Sequence, residues 1–186
     1  CSGLVGSEMC IRDSRLTDQH EIAIIEMGAN RFKDIQELSE IAEPTHGIIT
    51  NIGKAHLEGF GGFEGVLKTK KELYDNIEKS RGTIVINEDD PVLMKVLPSG
   101  ISTVTYGEQH NSTVNGELLS LSPFVKMKWS EASYTSGDLS MQMIGKYNYY
   151  NYLAAAAFGH HFDVPNEDIS KACLLYTSDA ADDETS

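Results

Sequence analysis

Glu26 and His56 are the residues whose types and positions most directly suggest chemistry. Glu26 directly follows the apolar run Ile22-Ala23-Ile24-Ile25 and opens Glu26-Met27-Gly28-Ala29-Asn30; His56 follows a second apolar run, in Thr50-Asn51-Ile52-Gly53-Lys54-Ala55-His56-Leu57-Glu58-Gly59-Phe60. If both runs are strands of one parallel sheet, a carboxylate and an imidazole emerge side by side at its carboxyl edge, where α/β proteins bind ligands and where a metal can be held. Taken singly, such a Glu is a solvated turn and such a His a surface or core residue. A zinc hydrolase fits less well, because one Glu and one His fall short of the usual three protein ligands. Lys68, Lys70 and Lys71 come next. They read either as a solvated basic face or as one lysine turned to the same edge to serve phosphate or metal. Asn148 and Asn151 share a helix face at i, i+3, so their amides can read one planar ring, with helix capping the other role open to Asn148. Asn87-Glu88-Asp89-Asp90-Pro91 ends a strand or caps a helix with proline at its first position. His160 and His161 read as surface residues.

The elements that must position these groups alternate. Apolar, β-branched runs at 20–25, 46–52, 82–87 and 101–106 suit strands buried on both faces. Between them, Ile35, Leu38, Ile41 and Ala42 share a helical face that Pro44 terminates, and Val66, Leu67, Leu73, Tyr74 and Ile77 mark a longer helix. This alternation predicts an α/β fold, a mostly parallel sheet flanked by helices. After Gly107 the period changes to two, through Val114 to Leu121, Phe124 to Trp129 and Leu139-Met141-Met143, which predicts a small antiparallel excursion of two or three strands at the sheet edge. Asn148 to Phe158, with alanines at 154–157, predicts a close-packed helix, and Asn166 is placed to cap a last one.

Composition narrows the partners. With 186 residues, 40% hydrophobic, the chain can build one ordinary core, and a net charge of −13 argues against nucleic-acid and anionic-membrane binding. No apolar run reaches the roughly 18 residues a membrane span needs, and no secretion signal stands at the start, so a cytoplasmic location is expected.

The three cysteines, Cys1, Cys10 and Cys173, lie at the two ends. Cys173-Leu174-Leu175-Tyr176-Thr177-Ser178 can be encoded by TGT CTC TTA TAC ACA TCT, whose reverse complement in a shifted frame, with one further G before it, encodes Glu-Met-Cys-Ile-Arg-Asp, the string at Glu8 to Asp13. One inverted DNA element accounts for both ends and resembles the mosaic-end tag of transposase-based sequencing libraries. Residues 1–14 and 173–186 are therefore expected to be adapter-derived, with 15–172 the native part, and the cysteines carry no redox or metal role.

Four motifs in order then carry a resemblance over nearly all of 15–172: EMGAN at Glu26 to Asn30, EPTHGIITNIGKAHLEGFGGFEGVLKTKKELY from Glu43 to Tyr74, INEDDP from Ile86 to Pro91, and IGKYNYYNYLAAAA from Ile144 to Ala157. They resemble the central, ATP-binding domain of the Mur ligases, a fold like that of the phosphate-loop NTPases. EMGA and AHLEGFG are most similar to the branch that joins D-alanyl-D-alanine to UDP-N-acetylmuramoyl-tripeptide in peptidoglycan synthesis.

The resemblance implies ATP and Mg²⁺ as cofactors, with Glu26 and His56 holding Mg²⁺ beside the ATP phosphates. It implies that Lys70 is carbamylated to act as a further metal ligand and catalytic group, with Lys71 in that role if the register slips. It implies Asn148 and Asn151 as the adenine contacts, although Tyr147 stands where the family often has His. The reaction implied is attack of the tripeptide carboxylate on the γ-phosphate, then displacement of phosphate from the acyl phosphate by the dipeptide amine. The family's GxxxxGK[ST] phosphate loop is expected several tens of residues before Glu26 and is not in this sequence, so 15–172 reads as part of the domain and the chain alone is expected to be inactive. The readings set against this one are a folylpolyglutamate- or cyanophycin-type ligase and a non-catalytic nucleotide-binding or structural domain.

Overall fold

A computed structural model of the chain describes residues 17, 19–53, 60–109 and 111–174. In chain order the elements are α1 (Asp34–Ala42), β1 (His46–Ile48), α2 (Phe63–Ser80), β2 (Thr83–Asn87), α3 (Pro91–Val96), β3 (Ser102–Gly107), β4 (Val114–Ser120), β5 (Lys126–Glu131), β6 (Tyr134–Thr135), β7 (Leu139–Ser140), α4 (Lys146–His161) and α5 (Asn166–Leu174). One sheet runs in the order β1-β2-β3-β4-β5-β6, with β7 also paired to β5. Pairing is parallel from β1 to β4 and antiparallel from β4 onward. The α/β class and the antiparallel excursion agree with the expectation, except that the excursion has four strands, β4 to β7, where two or three were expected, and β4 enters it parallel to β3.

The side-chain alternation of β2 builds the layers. Val85 faces a core with Val104, Tyr106, Met127, Trp129, Tyr149 and Leu153, while its neighbours Ile84 and Ile86 face a second core with Tyr74, Ile77 and Leu93. The apolar run at 82–87 is thus a strand covered by α4 on one face and by α2 and α3 on the other. Gly116 of β4 lets α4 approach: a Cβ there would lie 2.3 Å from the Tyr149 hydroxyl and 2.6 Å from a Leu153 methyl.

Local chemistry sets the element ends. Asp90 caps α3, accepting from the backbone N–H of Val92 (2.9 Å) and Leu93 (3.1 Å) with Pro91 at the first helical position, one of the two roles open to that segment. Asn166 opens α5 where a cap was expected, but its side-chain amide donates to Glu131 of β5 at 2.7 Å. His161 is not a free surface residue: its Nε2 lies 2.9 Å from Nε2 of His46, half-buried between the end of α4 and the start of β1. His160 lies 3.6 Å from Glu131.

One expected strand is absent. Residues 20–25 form no strand; Ile22 is 54% and Ile24 94% exposed. Backbone groups of a buried strand need a ladder, and among the described residues β1 pairs only with β2, so this segment joins no ladder.

Because Leu153 is fully buried between α4 and the sheet, Leu153→Ala is expected to cost about 2–5 kcal/mol, read from the urea unfolding midpoint; a loss under about 1 kcal/mol contradicts this packing.

Candidate functional site

The carboxyl ends of β1, β2 and β3 and the first turn of α4 form one edge of the sheet. β1 leads through Ile49 to Asn51, and α2 starts near the same end after a tight turn. Gly61 and Gly62 in this turn have φ of 72° and 102°, and Gly65 sits so close under it that a Cβ would lie 1.7 Å from the Phe60 carbonyl oxygen. This turn aims one side of α2 at the end of β1.

The three lysines of α2 are thereby told apart. Lys68 Nζ lies 5.0 Å over the Phe32 ring. Lys71 pairs with Asp75 one turn on along the helix. Lys70 alone of the three reaches the strand end, where its Nζ donates to the Asn51 carbonyl at 2.8 Å. Burial pushes its ammonium below the usual lysine range. The chemistry follows directly: a lysine with a lowered pKa keeps more neutral, nucleophilic amine near neutral pH.

Glu26 is exposed, in the unpaired extended segment before α1. This segment is anchored beyond the Glu, where Asp34 accepts from the backbone N–H of Asn30 (2.9 Å) and Arg31 (3.0 Å) and Ser39 donates to the Met27 sulfur. Glu72 of α2 accepts from the backbone N–H of Lys33 (3.1 Å) and Gln36 (3.0 Å), so α1 is docked onto the helix that carries Lys70. His56 lies outside the described residues. No group of three His, Cys, Asp or Glu able to hold a metal forms among the described residues.

Asn148 is buried and its amide donates to the Ile144 carbonyl at 2.9 Å, holding the start of α4, whereas Asn151 one turn on is exposed. Asn148 does not cap the helix, whose N-cap is Gly145 with no side-chain cap bond; its amide is turned back onto a backbone carbonyl, and Asn151 faces solvent beside Tyr147, which is 66% exposed.

A network with no clear sequence signal ties these parts together. Asp89, just past β2, accepts from the backbone N–H of Glu108 at 2.7 Å and from the Tyr150 hydroxyl at 3.2 Å. Gly107 makes room for it, since a Cβ there would meet the carboxylate at 2.9 Å. Lys146 pairs with Glu108 at 3.1 Å and lies over the Tyr150 ring, and Glu108 holds its ammonium above the usual range. The ends of β2 and β3 and the first turn of α4 are thus joined by residues far apart in sequence. Only the i, i+4 spacing of Lys146 and Tyr150 is visible along the chain; Glu108 gives no warning of its role.

A parallel sheet with helices on both faces and polar side chains gathered beyond its strand ends defines an α/β protein with its ligand edge at the carboxyl termini of the strands. A family model for the Mur ligase middle domain matches residues 11–159, and the chain belongs to the Mur ligase family. It is 30% identical over 157 residues, 84% of its length, to a UDP-N-acetylmuramoyl-tripeptide–D-alanyl-D-alanine ligase of Bacillus subtilis. Over 75 residues it is 41% identical to the protein of the same name from Haemophilus influenzae, covering 40% of this chain and 16% of that one. A crystal structure of MurF from Acinetobacter baumannii superposes with a TM-score of 0.77 at 28% identity, over 90% of this chain and 37% of that one. The chain spans about a third of the length of the Bacillus relative (33%). Among the described residues no helix is long and apolar enough to cross a membrane.

The Lys70 pKa has a definite consequence for stability. Its folded value lies below the unfolded one, so between the two the unfolded chain binds more protons and stability rises with pH. An NMR titration should give the Lys70 side chain a lower midpoint in the folded chain than in the urea-unfolded chain, and Lys70→Met should remove its share of the alkaline rise in stability. Equal Lys70 midpoints in the two states contradict the burial.

Proposed function

We propose that this chain supplies the nucleotide-facing part of an ATP-dependent ligase that joins D-alanyl-D-alanine to UDP-N-acetylmuramoyl-tripeptide, and that the activity belongs to a longer protein. The observation that carries the reading is the selection of Lys70 among three neighbouring lysines: its amine reaches the end of β1 with a lowered pKa, inside a segment 30% identical to a ligase of that name.

The donor chemistry suits Mg²⁺ once Lys70 is modified. An ammonium donating to a carbonyl binds no metal. The neutral amine attacks CO₂, loses a proton and becomes a carbamate with anionic oxygens of the kind a hard cation takes. Glu26 and His56, with that carbamate, would then hold Mg²⁺, which when bound neutralises charge on the phosphoryl oxygens. The chain's own residues do the positioning. The Asn51 carbonyl orients Lys70, and the Asp89, Glu108, Lys146 and Tyr150 network fixes the first turn of α4. Asn151 is exposed on that turn to meet the adenine, and Asn148 joins it by exchanging its Ile144 bond for the base. The tripeptide carboxylate attacks the γ-phosphorus and ADP leaves. The dipeptide amine then attacks the acyl phosphate and phosphate leaves, a sequence in which orientation and electrostatics supply most of the rate. In the same proposal residues 1–14 and 173–186 are translated adapter; the family match beginning at residue 11 overlaps the first of these, and sequencing the flanking DNA decides it.

The direct test is a chimera of the Bacillus relative carrying residues 20–159 of this chain in place of its own segment. It should release phosphate only with both the UDP-linked tripeptide and D-alanyl-D-alanine, and Glu26→Ala, His56→Ala and Lys70→Ala should each lower the rate at least about 100-fold. Phosphate release driven by glutamate instead points to the folylpolyglutamate type, and a folded, inactive chimera contradicts the proposal. The chain by itself should form no amide from ATP.

A further inference from the structure

The opposite end of the sheet holds a pair of side chains that the ligase reading does not use. His46, at the start of β1, and His161, the last residue of α4, lie 115 positions apart in sequence, yet their Nε2 atoms are 2.9 Å apart. The Phe162 ring packs on both imidazoles, its centroid 5.0 Å from that of His46 and 5.1 Å from that of His161. The other ring nitrogen of His46, Nδ1, lies 2.8 Å from the Thr45 hydroxyl.

We propose that His46 and His161 chelate a divalent transition-metal ion of the borderline class, such as Zn²⁺ or Ni²⁺, through their two Nε2 atoms. Two imidazole nitrogens on one tetrahedral ion at about 2.0–2.1 Å stand about 3.3 Å apart, so the rings need to part by only a few tenths of an ångström. Thr45 is placed to do for His46 what an outer-shell partner does in known sites: in the tautomer that carries its proton on Nδ1, the hydroxyl accepts from Nδ1–H and the Nε2 lone pair is free for the metal. His161 moves the proton that now bridges the pair from Nε2 to Nδ1, and two nitrogen–metal bonds form with no change of charge on a neutral pair. Burial and the neighbouring His161 hold the His46 pKa below its ordinary value, which keeps the ring neutral. His160, the neighbour of His161 in sequence, turns instead toward Glu131 of β5 at 3.6 Å. Among the described residues no third ligand joins, so water fills the remaining positions. Nitrogen-only donors also separate this site from the oxygen chemistry that suits Mg²⁺ at the far edge.

The experiment titrates Zn²⁺ or Ni²⁺ into the full chain by calorimetry, with Cys1→Ser, Cys10→Ser and Cys173→Ser introduced to remove competing thiols. One ion should bind per chain. His46→Gln and His161→Gln should each weaken it by about tenfold or more, and His160→Gln should leave it unchanged. Should either glutamine variant lose its circular dichroism spectrum, the ring ¹⁵N resonances of the histidine-intact chain decide: those of His46 and His161 should shift together on Zn²⁺ addition. No binding at millimolar metal, binding that survives both substitutions, or ring shifts confined to other histidines overturns the proposal.

Discussion

A strand buried on both faces has nowhere along its length to present a polar group, so any chemistry it supports must be delivered at its end. That constraint governs this molecule. β2 gives Val85 to one core and Ile84 and Ile86 to the other, and its polar groups begin only at its last residue, the buried Asn87, with Glu88-Asp89-Asp90 next. Polar residues likewise stand just beyond β1, at Thr50 and Asn51, and beyond β3, which ends at Gly107 with Glu108 next. Helices covering both faces then bring Lys70 from one side and the first turn of α4 from the other to a shared edge.

Two close approaches make this convergence possible. Gly116 removes the Cβ that would hold α4 off the sheet, and Gly65 removes the one that would collide with the Phe60 carbonyl in the turn before α2. The first sets the depth of α4, hence where Asn148 and Asn151 begin; the second sets the direction of α2, hence which lysine reaches Asn51. Lys70 is separated from Lys71 by one residue but by roughly 100° of helical rotation, enough to send the first to the strand end and the second to Asp75.

Much of the architecture was readable from residue pattern. The run at 82–87 became β2, Asp90 and Pro91 began α3 as cap and first residue, and the switch to period two after Gly107 marked the antiparallel strands. The run at 20–25 reads the same way but formed no strand, because periodicity reports the character of a segment and not whether a neighbour is present to complete its ladder. Of the candidate site, Lys70 was legible through the family resemblance and then distinguished by geometry. For Asn148 the spacing is silent on the side chain's direction, since the i, i+3 pair exists whether or not one amide is turned back onto Ile144. The Asp89 network and the contact of His46 with His161 could not be read, as each joins residues brought together only by the fold.

The central claim is that the fold prepares Lys70, and neither of its lysine neighbours, as the reactive amine at the sheet edge. ¹³C NMR of the chain in ¹³C-bicarbonate with Mg²⁺ addresses it most directly. The account predicts a carbamate carbon resonance that vanishes in Lys70→Arg and persists in Lys68→Arg and Lys71→Arg. A resonance that survives Lys70→Arg and is lost with Lys71→Arg, or no resonance in any of these chains, contradicts it.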